Sequence, residues 1–223
     1  MIKGIVLVSG GLDSLVTASI AQQECDEIYF LHLNYGQKTE RKELESFQKL
    51  QKFYKPIDSL IVDISYLKQI GGSSLTDDSI AVKDFTGEIE VPDSYVPFRN
   101  AHLVTIATSW AEVIDANRIY IGVVEEDSSG YPDCREEFYE SLQKTIDLGT
   151  KEETNIRIHI PIVHKNKSEI IKIGFELGAP FEHSWSCYKN NDIACGTCDS
   201  CVLRLRAFKK IGIKDPIPYL VNN

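Results

Sequence analysis

The sequence lacks any apolar run close to the roughly 20 residues that a membrane-spanning helix requires. It also lacks the basic excess of a protein that binds a long nucleic-acid backbone, because 33 Asp and Glu residues outnumber 24 Lys and Arg residues and give a net charge of −9. These absences argue against membrane insertion and direct nucleic-acid binding, and they favour a small-molecule substrate. No signal-peptide pattern follows Met1, so we expect a cytoplasmic protein.

Cysteines are few, and four of the six are clustered near the C-terminal end. Cys195, Cys198 and Cys201 repeat every three residues, and Cys187 precedes them. In a cytosolic chain such a cluster indicates metal ligands rather than disulfides. Four thiolates can enclose one zinc ion tetrahedrally, which predicts a structural site with no open position. The alternative is an iron–sulfur cluster, but a ferredoxin run has its fourth cysteine downstream of the other three.

The generic P-loop pattern is also absent, since no lysine follows the glycines of the first predicted turn. The sequence SGGLDS at residues 9–14 instead joins an apolar run to a helical pattern. Unpaired N–H groups and the dipole of a helix start attract anions, and two glycines allow a sharp turn that brings these donors close. Asp13 is expected to hold a cation or to orient the loop. The residues predicted to contact the nucleotide are Val8, Ser9, Gly10, Gly11, Leu12, Asp13 and Ser14.

Short apolar runs alternate with helical patterns along most of the chain. This alternation predicts an α/β fold, with a Rossmann-like, mostly parallel sheet of about five strands and helices on both faces. Strands are predicted over residues 2–8, 28–33, 60–64, 119–124 and 156–160. Helices are predicted over residues 13–24, 39–54, 100–114, 136–148, 166–178 and 202–211. We divide the chain into a nucleotide-binding catalytic domain, 1–183, and a zinc-binding C-terminal segment, 184–223, packed on it.

Local signals refine this assignment. Asn100 is predicted to cap the helix that follows it, and Asn166 with Glu169 matches a capping box. The long stretch 69–98 is rich in glycine, serine and proline, and it is either a functional loop or a surface insertion. A basic cluster near the C-terminus is expected to lie mostly on a solvated helix face. Its members are Arg204, Arg206, Lys209, Lys210 and Lys214.

Seven further motifs accompany the SGGLDS loop and extend over nearly the whole chain. On these motifs the chain resembles the 7-cyano-7-deazaguanine synthase family of the queuosine precursor pathway. That family belongs to the PP-loop ATP-pyrophosphatase superfamily, whose fold is adenine nucleotide α-hydrolase-like. Phe98 departs from the pattern, since the family often has glycine there. The motifs are YGQ (35–37), GGSSL (71–75), VPFRN (96–100), SGYPDCR (129–135), KSEII (167–171), SWSCY (184–188) and CGTCDSC (195–201).

The resemblance implies a ligase that forms carbon–nitrogen bonds. The family converts the carboxylate of 7-carboxy-7-deazaguanine, with ammonia, to the nitrile 7-cyano-7-deazaguanine. The carboxylate is adenylylated and ammonia displaces AMP to give an amide, whose oxygen is then adenylylated and eliminated. Pyrophosphate leaves at each activation. The resemblance further implies ATP with Mg²⁺, one structural Zn²⁺ per chain and a homodimer.

The resemblance and the chemistry of the side chains suggest roles within the nucleotide site. Asp13, Ser14 and Lys167 are the predicted catalytic residues. Lys167 stands at a helix start, where it is expected to neutralise charge that builds on the phosphates. The alternative for Lys167 is a solvated lysine with no such role.

Four residues are predicted to bind the substrate. Arg99 and Arg135 can each hold the substrate carboxylate through two hydrogen bonds, or can instead pair with a structural acid. Asp133 can accept hydrogen bonds from the amine and ring N–H of the purine-like base, and Tyr131 can stack on the ring. Cys134 is expected to be pocket wall rather than a nucleophile, because ATP already supplies the activation.

Two alternative functions are compatible with parts of the pattern. The first is another PP-loop amidating or tRNA-modifying synthetase, such as a tRNA thiolase. A thiolase needs a catalytic cysteine pair outside the metal site, and only Cys25 and Cys134 remain. The second is a zinc-knuckle binding protein with an inactive nucleotide fold, against which the intact SGGLDS loop argues.

Overall fold

A five-stranded parallel sheet forms the centre of the molecule and confirms the predicted fold class. The strands follow the spatial order β3-β2-β1-β4-β5, with every neighbouring pair parallel. The order reverses between β1 and β4, and a crevice at the carboxyl ends of the strands is expected at that point. The strands are β1 (Lys3–Leu7), β2 (Glu27–Asn34), β3 (Asp58–Asp63), β4 (Arg118–Tyr120) and β5 (Arg157–His159).

The structure is a computed structural model that describes residues 1–85, 87, 91–125 and 130–221. Ser129 of the SGYPDCR motif therefore lies outside the described residues, as do residues 86 and 88–90 of the long stretch 69–98. No described helix has the length and apolar character needed to cross a lipid bilayer. The α-helices are α1 (Leu12–Glu24), α2 (Glu40–Tyr54), α3 (Tyr66–Ile70), α4 (Arg99–Ile114), α5 (Glu136–Gly149), α6 (Lys167–Glu176) and α7 (Asp199–Lys210).

Helices cover both faces of the sheet, because successive side chains of each strand point to opposite sides. In β1, Ile5 and Leu7 join the core under α4 and α5. Val6 belongs to the opposite core, which α1, α2, α6 and α7 cover. The continuous apolar runs in the sequence thus reflect burial on both faces. Strand β4 is shorter than predicted, because residues 121–124 leave the strand and line a cavity.

The start of α4 corrects the predicted cap. The helix begins at Arg99 after Phe98, so Asn100 lies within the first turn and is not the N-cap. The backbone N–H of Asn100 donates instead to Asp133 Oδ2 at 2.9 Å. Phe98 has φ +57°, a left-handed conformation that favours glycine, which gives a physical reason for the glycine of the resembling family. The capping box of Asn166 and Glu169 is confirmed.

Arg204 is the exception to the predicted solvated basic face, since Arg206, Lys209, Lys210 and Lys214 are exposed as expected. The Arg204 side chain is only 1 % exposed, and it donates to both carboxylate oxygens of Asp215, at 2.7 and 2.9 Å. It also donates to the hydroxyl oxygens of Ser184 and Ser186, at 2.9 and 3.2 Å. A buried guanidinium needs such partners, and the folded C-terminal tail, residues 184–186 and the Phe181 carbonyl supply them.

The described part of the stretch 71–98 forms no helix or strand, yet it packs closely on the rest of the protein. The N–H of Ser74 donates to the carbonyl of Asp93, which ties the two ends of the stretch together. The N–H of Phe85 donates to the carbonyl of Thr197, and Lys189 forms an ion pair with Asp84. The stretch therefore lies against the cysteine-rich segment.

Candidate active site and metal centre

Residues 9–14, called the PP-loop below, form a tight turn between β1 and α1. Gly11 is the N-cap of α1 and makes no side-chain cap, so the first N–H groups of the helix are not capped from that residue. The Gly11 N–H donates to Ser9 Oγ at 3.1 Å, and Ser14 Oγ donates to the Gly11 carbonyl at 3.0 Å. The serine hydroxyls thus hold the turn, which presents a helix start suited to an anion.

Two glycines let neighbouring elements approach the PP-loop more closely than any side chain would allow. Gly10 has φ +89°, and a Cβ there would lie 2.6 Å from the carbonyl oxygen of Glu43 in α2. Gly122 follows β4, and a Cβ there would lie 2.8 Å from the carbonyl oxygen of Asp13. The PP-loop is therefore packed tightly between α2 and the residues that follow β4.

Asp13 and Lys167, predicted to share the nucleotide site, are in direct contact. Lys167 Nζ donates to both carboxylate oxygens of Asp13, at 2.7 Å each. Asp13 lies in the first turn of α1 and Lys167 is the first residue of α6, so the pair joins two helix starts. The capping box at Asn166 fixes where α6 begins and so positions Lys167 beside the PP-loop.

A cavity of about 240 Å³ opens between the PP-loop and the carboxyl ends of β1, β2 and β4. Of the residues predicted to bind the nucleotide or the substrate, three do not line this cavity: Gly10, Asp133 and Arg135. The predicted site residues that do line it are Val8, Ser9, Gly11, Leu12, Asp13, Ser14, Arg99, Tyr131 and Lys167. The structure thus brings the PP-loop and Arg99 to one cavity.

Arg99 faces this cavity with no carboxylate partner among the described residues. Its Nη1 donates to Tyr35 Oη at 3.2 Å, and its guanidinium lies 5.1 Å from the centre of the Tyr35 ring. Its Nε is buried and makes no hydrogen bond within the described part of the chain. No ion pair within 4.0 Å involves Arg99 there either. Its Nη2 donates to Asn100 Oδ1 at 3.4 Å, and the remaining N–H groups can bind a ligand carboxylate.

The other predicted substrate residues are placed less directly. Asp133 is buried behind the cavity wall, where its Oδ2 accepts from the Asn100 N–H. Arg135 is exposed and precedes α5. Tyr131 lines the cavity, and its hydroxyl lies 2.8 Å from Ser94 Oγ. Burial raises the pKa of the Cys134 thiol to about 12, which leaves it protonated and suits a wall residue better than a nucleophile.

The sequence interpretation missed Glu43, which lines the cavity from α2. Glu43 lies one turn before Phe47 on the face of α2 that is otherwise buried. The sequence signal that could have identified Glu43 is a charged residue on an otherwise apolar face of a predicted helix. The far wall of the cavity was missed as well, because it comes from a segment distant in the chain. Its residues are Trp185, Ser186, Tyr188, Ser200 and Leu203.

The four clustered cysteines, residues 187–201, form what we call the cysteine knuckle. Their sulfur atoms are buried and lie within 4.8 Å of one another, with 3.9 Å between Cys195 and Cys201. Four sulfurs around one zinc ion at about 2.3 Å would be about 3.8 Å apart. The Cys187 sulfur accepts N–H groups of Asn190 and Cys195 at 3.3 and 3.4 Å. These N–H groups favour the thiolate form, so the donor set fits a metal ion.

Comparison with known proteins adds independent information. The family model described as queuosine biosynthesis protein QueC matches residues 3–212. A protein of Chlorobium phaeobacteroides (strain DSM 266) named 7-cyano-7-deazaguanine synthase is 55% identical over 97% of this chain and 96% of its own length. A protein of the same name from Chlorobaculum tepidum is 53% identical over 98% of this chain and 97% of its own length.

Solved structures resemble this one in fold. A 4-thiouridine synthetase in complex with RNA and bound ATP superimposes with a TM-score of 0.53 at 19% identity. The match covers 93% of this chain but only 53% of that protein. A predicted subunit of a tRNA methyltransferase from Methanocaldococcus jannaschii gives a TM-score of 0.50 at 14% identity, over 96% of this chain and 90% of the other. At these identities the likeness concerns the fold alone.

Proposed function

The chain belongs to the QueC family of queuosine biosynthesis proteins, and from that premise we propose that it makes 7-cyano-7-deazaguanine from 7-carboxy-7-deazaguanine, ammonia and ATP. The family resemblance that the motifs indicated is thereby confirmed. One observation of the structure carries the proposal: the PP-loop shares one cavity with Arg99, whose guanidinium has no carboxylate partner among the described residues. This observation supports a pyrophosphate site at the PP-loop and a carboxylate partner at Arg99 that serve one bound substrate pair.

In the first half of the proposed reaction the substrate carboxylate attacks the α-phosphorus of ATP. Arg99 holds and orients this carboxylate, while the PP-loop N–H groups and Ser9 and Ser14 hold the β- and γ-phosphates. The bond between the α-phosphorus and the bridging oxygen breaks, and pyrophosphate leaves with its charge stabilised by Lys167. Ammonia then attacks the acyl adenylate, AMP leaves with the carboxyl oxygen that carried it, and an amide remains.

In the second half the amide oxygen attacks the α-phosphorus of a second ATP, and pyrophosphate leaves again. The nitrogen then loses its protons and the adenylylated oxygen departs as AMP, which leaves the nitrile. The same PP-loop and Lys167 serve both activations, since pyrophosphate is the leaving group each time. This reuse explains why one phosphate site suffices for two chemical steps.

Asp13 in this proposal positions Lys167 through the two hydrogen bonds between them. Mg²⁺ bound with ATP would neutralise phosphate charge, and Asp13 is the carboxylate of the PP-loop that can approach it. We assign zinc to the cysteine knuckle, because four thiolates leave no open position for substrate. Tyr131 is assigned to the base ring. Asp133 supports Arg99 by holding Asn100, and Arg135 would contact substrate only after a conformational change.

The proposal makes the protein a carbon–nitrogen ligase that acts in the cytoplasm as a homodimer with free ammonia as the nitrogen donor. A thiolase activity is not supported by the placement of the remaining cysteines. Cys134 lines the cavity, whereas Cys25 lies beside Gly4 at the opposite end of the sheet. The two sulfurs therefore cannot act as a catalytic pair in one site.

The test is a reaction of the purified protein with ATP, Mg²⁺, ammonium and 7-carboxy-7-deazaguanine. We expect the nitrile by mass spectrometry, together with AMP and pyrophosphate in a ratio of about two to one nitrile. Omission of ammonium should stop the reaction before the amide. If neither nitrile nor AMP is formed, the proposed function is wrong. Light scattering of the same preparation tests the homodimer.

A further inference from the structure

The cavity contains two carboxylates from the described part of the chain, and only one of them has a cationic partner. Asp13 accepts two hydrogen bonds from Lys167 Nζ. Glu43 lines the same cavity but accepts only from neutral groups, namely Thr39 Oγ1 at 2.7 Å and Gln37 Nε2 at 2.9 Å. The Glu43 carboxylate is thus held in place by neutral donors, with no cationic group bonded to it within the described part of the chain.

The two neutral donors leave Glu43 with unused capacity. Each carboxylate oxygen can accept a second hydrogen bond, and each has one partner in the structure. Burial raises the pKa of the Glu43 carboxyl group, while the Thr39 and Gln37 hydrogen bonds and the charge of Arg99 oppose that shift. A ligand that presented N–H groups to this carboxylate would lessen the cost of its burial.

Arg99 also lines the cavity and has the opposite charge, and like Glu43 it forms no ion pair with any residue that the structure describes. A chain of hydrogen bonds connects the two residues without letting them pair. Arg99 donates to Tyr35 Oη at 3.2 Å, and the Tyr35 N–H donates to Gln37 Oε1 at 2.9 Å. Gln37 then donates to Glu43. The cavity is therefore prepared for a ligand with an acceptor group at one place and donor groups at another.

The substrate of the proposed function has this polarity. Its carboxylate is an acceptor suited to Arg99, and its aminopyrimidinone edge carries a ring N–H and an exocyclic amine that both donate. A carboxylate accepts two such donors side by side, as it does from other paired N–H groups. Asp133, predicted for this task from the sequence, lies behind the wall with one oxygen bonded to the Asn100 N–H.

We propose that Glu43 is a specificity-determining residue that accepts the ring N–H and the exocyclic amine of the 7-deazaguanine base. This inference rests on the proposed function and adds the residue that reads the base. In this assignment Arg99 binds the substrate carboxylate and Glu43 binds the aminopyrimidinone edge of the same molecule. Gln37 and Thr39 orient the Glu43 carboxylate and do not contact the substrate in this assignment.

The test compares 7-carboxy-7-deazaguanine with its analogue that lacks the exocyclic amine, 7-carboxy-7-deazahypoxanthine. For the wild type we expect kcat/KM to fall on the order of 10- to 100-fold with the analogue, because one hydrogen bond to a charged group is lost. In Glu43→Gln we expect a weaker reaction with the natural substrate and a difference between the two substrates within about threefold. The matched control is Glu45→Gln, since Glu45 lies on the same helix in surface ion pairs with Lys42 and Lys49.

Each outcome bears on the assignment. If the wild type uses both substrates equally well, the assignment of Glu43 is wrong. This comparison needs no variant, so it remains decisive even if Glu43→Gln misfolds. An unchanged discrimination in Glu43→Gln also overturns the assignment, as does a change confined to the KM for ammonium or for ATP. If the wild type forms no nitrile, the proposed function fails and this assignment falls with it. If the nitrile is formed and only the discrimination is unaffected, the role of Glu43 alone is wrong.

Discussion

The PP-loop and the cysteine knuckle are both turns in which backbone N–H groups converge, but different forces hold them. The PP-loop is wedged between α2 and the end of β4 at contacts that only glycine permits. The knuckle surrounds four buried sulfurs, and the few buried apolar residues packed with them are Trp185, Ala194 and Ile217. The loop therefore owes its shape to the sheet and helices, whereas we expect the knuckle to depend on the metal proposed for its sulfurs.

This difference means that the two regions should fail in different ways. A change in the PP-loop should reduce ATP use while most of the fold survives, because the surrounding core is apolar and continuous. A change among the knuckle cysteines should affect the fold first, since metal binding supplies much of the stability of so small a segment. Activity would then be lost because the knuckle and its flanking residues form one wall of the cavity.

The largest expected effect comes from Cys198→Ser, which removes one of the four sulfurs. We expect loss of the metal, local unfolding of the knuckle and activity below detection, because structural zinc contributes on the order of 10–16 kcal/mol. Elemental analysis should give about one zinc per chain for the wild type and for the control Cys25→Ser. A Cys198→Ser protein that retains the metal would contradict the site, and stoichiometric iron with visible absorbance would replace zinc.

Arg204→Leu should break the link between α7, residues 184–186 and the C-terminal tail. We expect a loss of about 3–5 kcal/mol in the free energy of unfolding, because Asp215 is left buried without its partner. Denaturant titration measures this. The control Arg206→Leu removes an exposed arginine that lies over Phe85, and it should cost at most about 1 kcal/mol. Equal losses in both variants would show that Arg204 is not the link.

Gly10→Ala tests whether the PP-loop is held by close packing. We expect a loss of about 3 kcal/mol in stability and weaker ATP binding, because the Cβ would meet the Glu43 carbonyl in a left-handed backbone conformation. Gly178→Ala is the matched control, since Gly178 also has positive φ but no atom within 4 Å of its Cβ. That variant should cost only about 1–2 kcal/mol, which is the conformational term alone. Indistinguishable variants would mean that packing does not shape the loop.

Asp13→Asn should have the smallest effect on folding stability, because it keeps the shape of the PP-loop and removes one charge. We expect AMP formation to fall about 100-fold because Lys167 loses the carboxylate that positions it, with little change in unfolding temperature. The control is Asp78→Asn, since Asp78 forms an exposed ion pair with Lys68. Undiminished AMP formation in Asp13→Asn would show that catalysis does not need the Asp13–Lys167 contact.

The sequence predicted the elements whose signals are local. Continuous apolar runs gave all five strands, although β4 is shorter than predicted, and the capping box at Asn166 is confirmed. The spacing of the four cysteines correctly indicated a cluster able to hold a metal. The site roles predicted for Asp13, Arg99 and Lys167 remain proposals, but their side chains do line one cavity. Division of the chain at residue 184 also stays a prediction.

The short helix α3 was not predicted, and the other missed features depend mostly on partners far along the chain. Arg204 looked solvated because neighbouring basic residues are, and only the fold brings Asp215 and Ser184 to it. Asn100 looked like a helix cap, but Asp133 binds its N–H and the helix begins one residue earlier. Glu43 carried a weak local signal, and its place in the cavity depends on how α2 packs against Gly10.

One hydrogen bond between the two regions has a consequence for how the protein is made. The N–H of Trp185, two residues before the first knuckle cysteine, donates to the carbonyl of Gly10 in the PP-loop at 2.8 Å. Translation adds about 5–20 residues per second, so roughly 10–35 s separate the synthesis of these two residues. Throughout that interval the PP-loop of the nascent chain lacks the hydrogen bond from Trp185 to Gly10. The proposed ATP site is thus among the last parts of the molecule to be completed during synthesis.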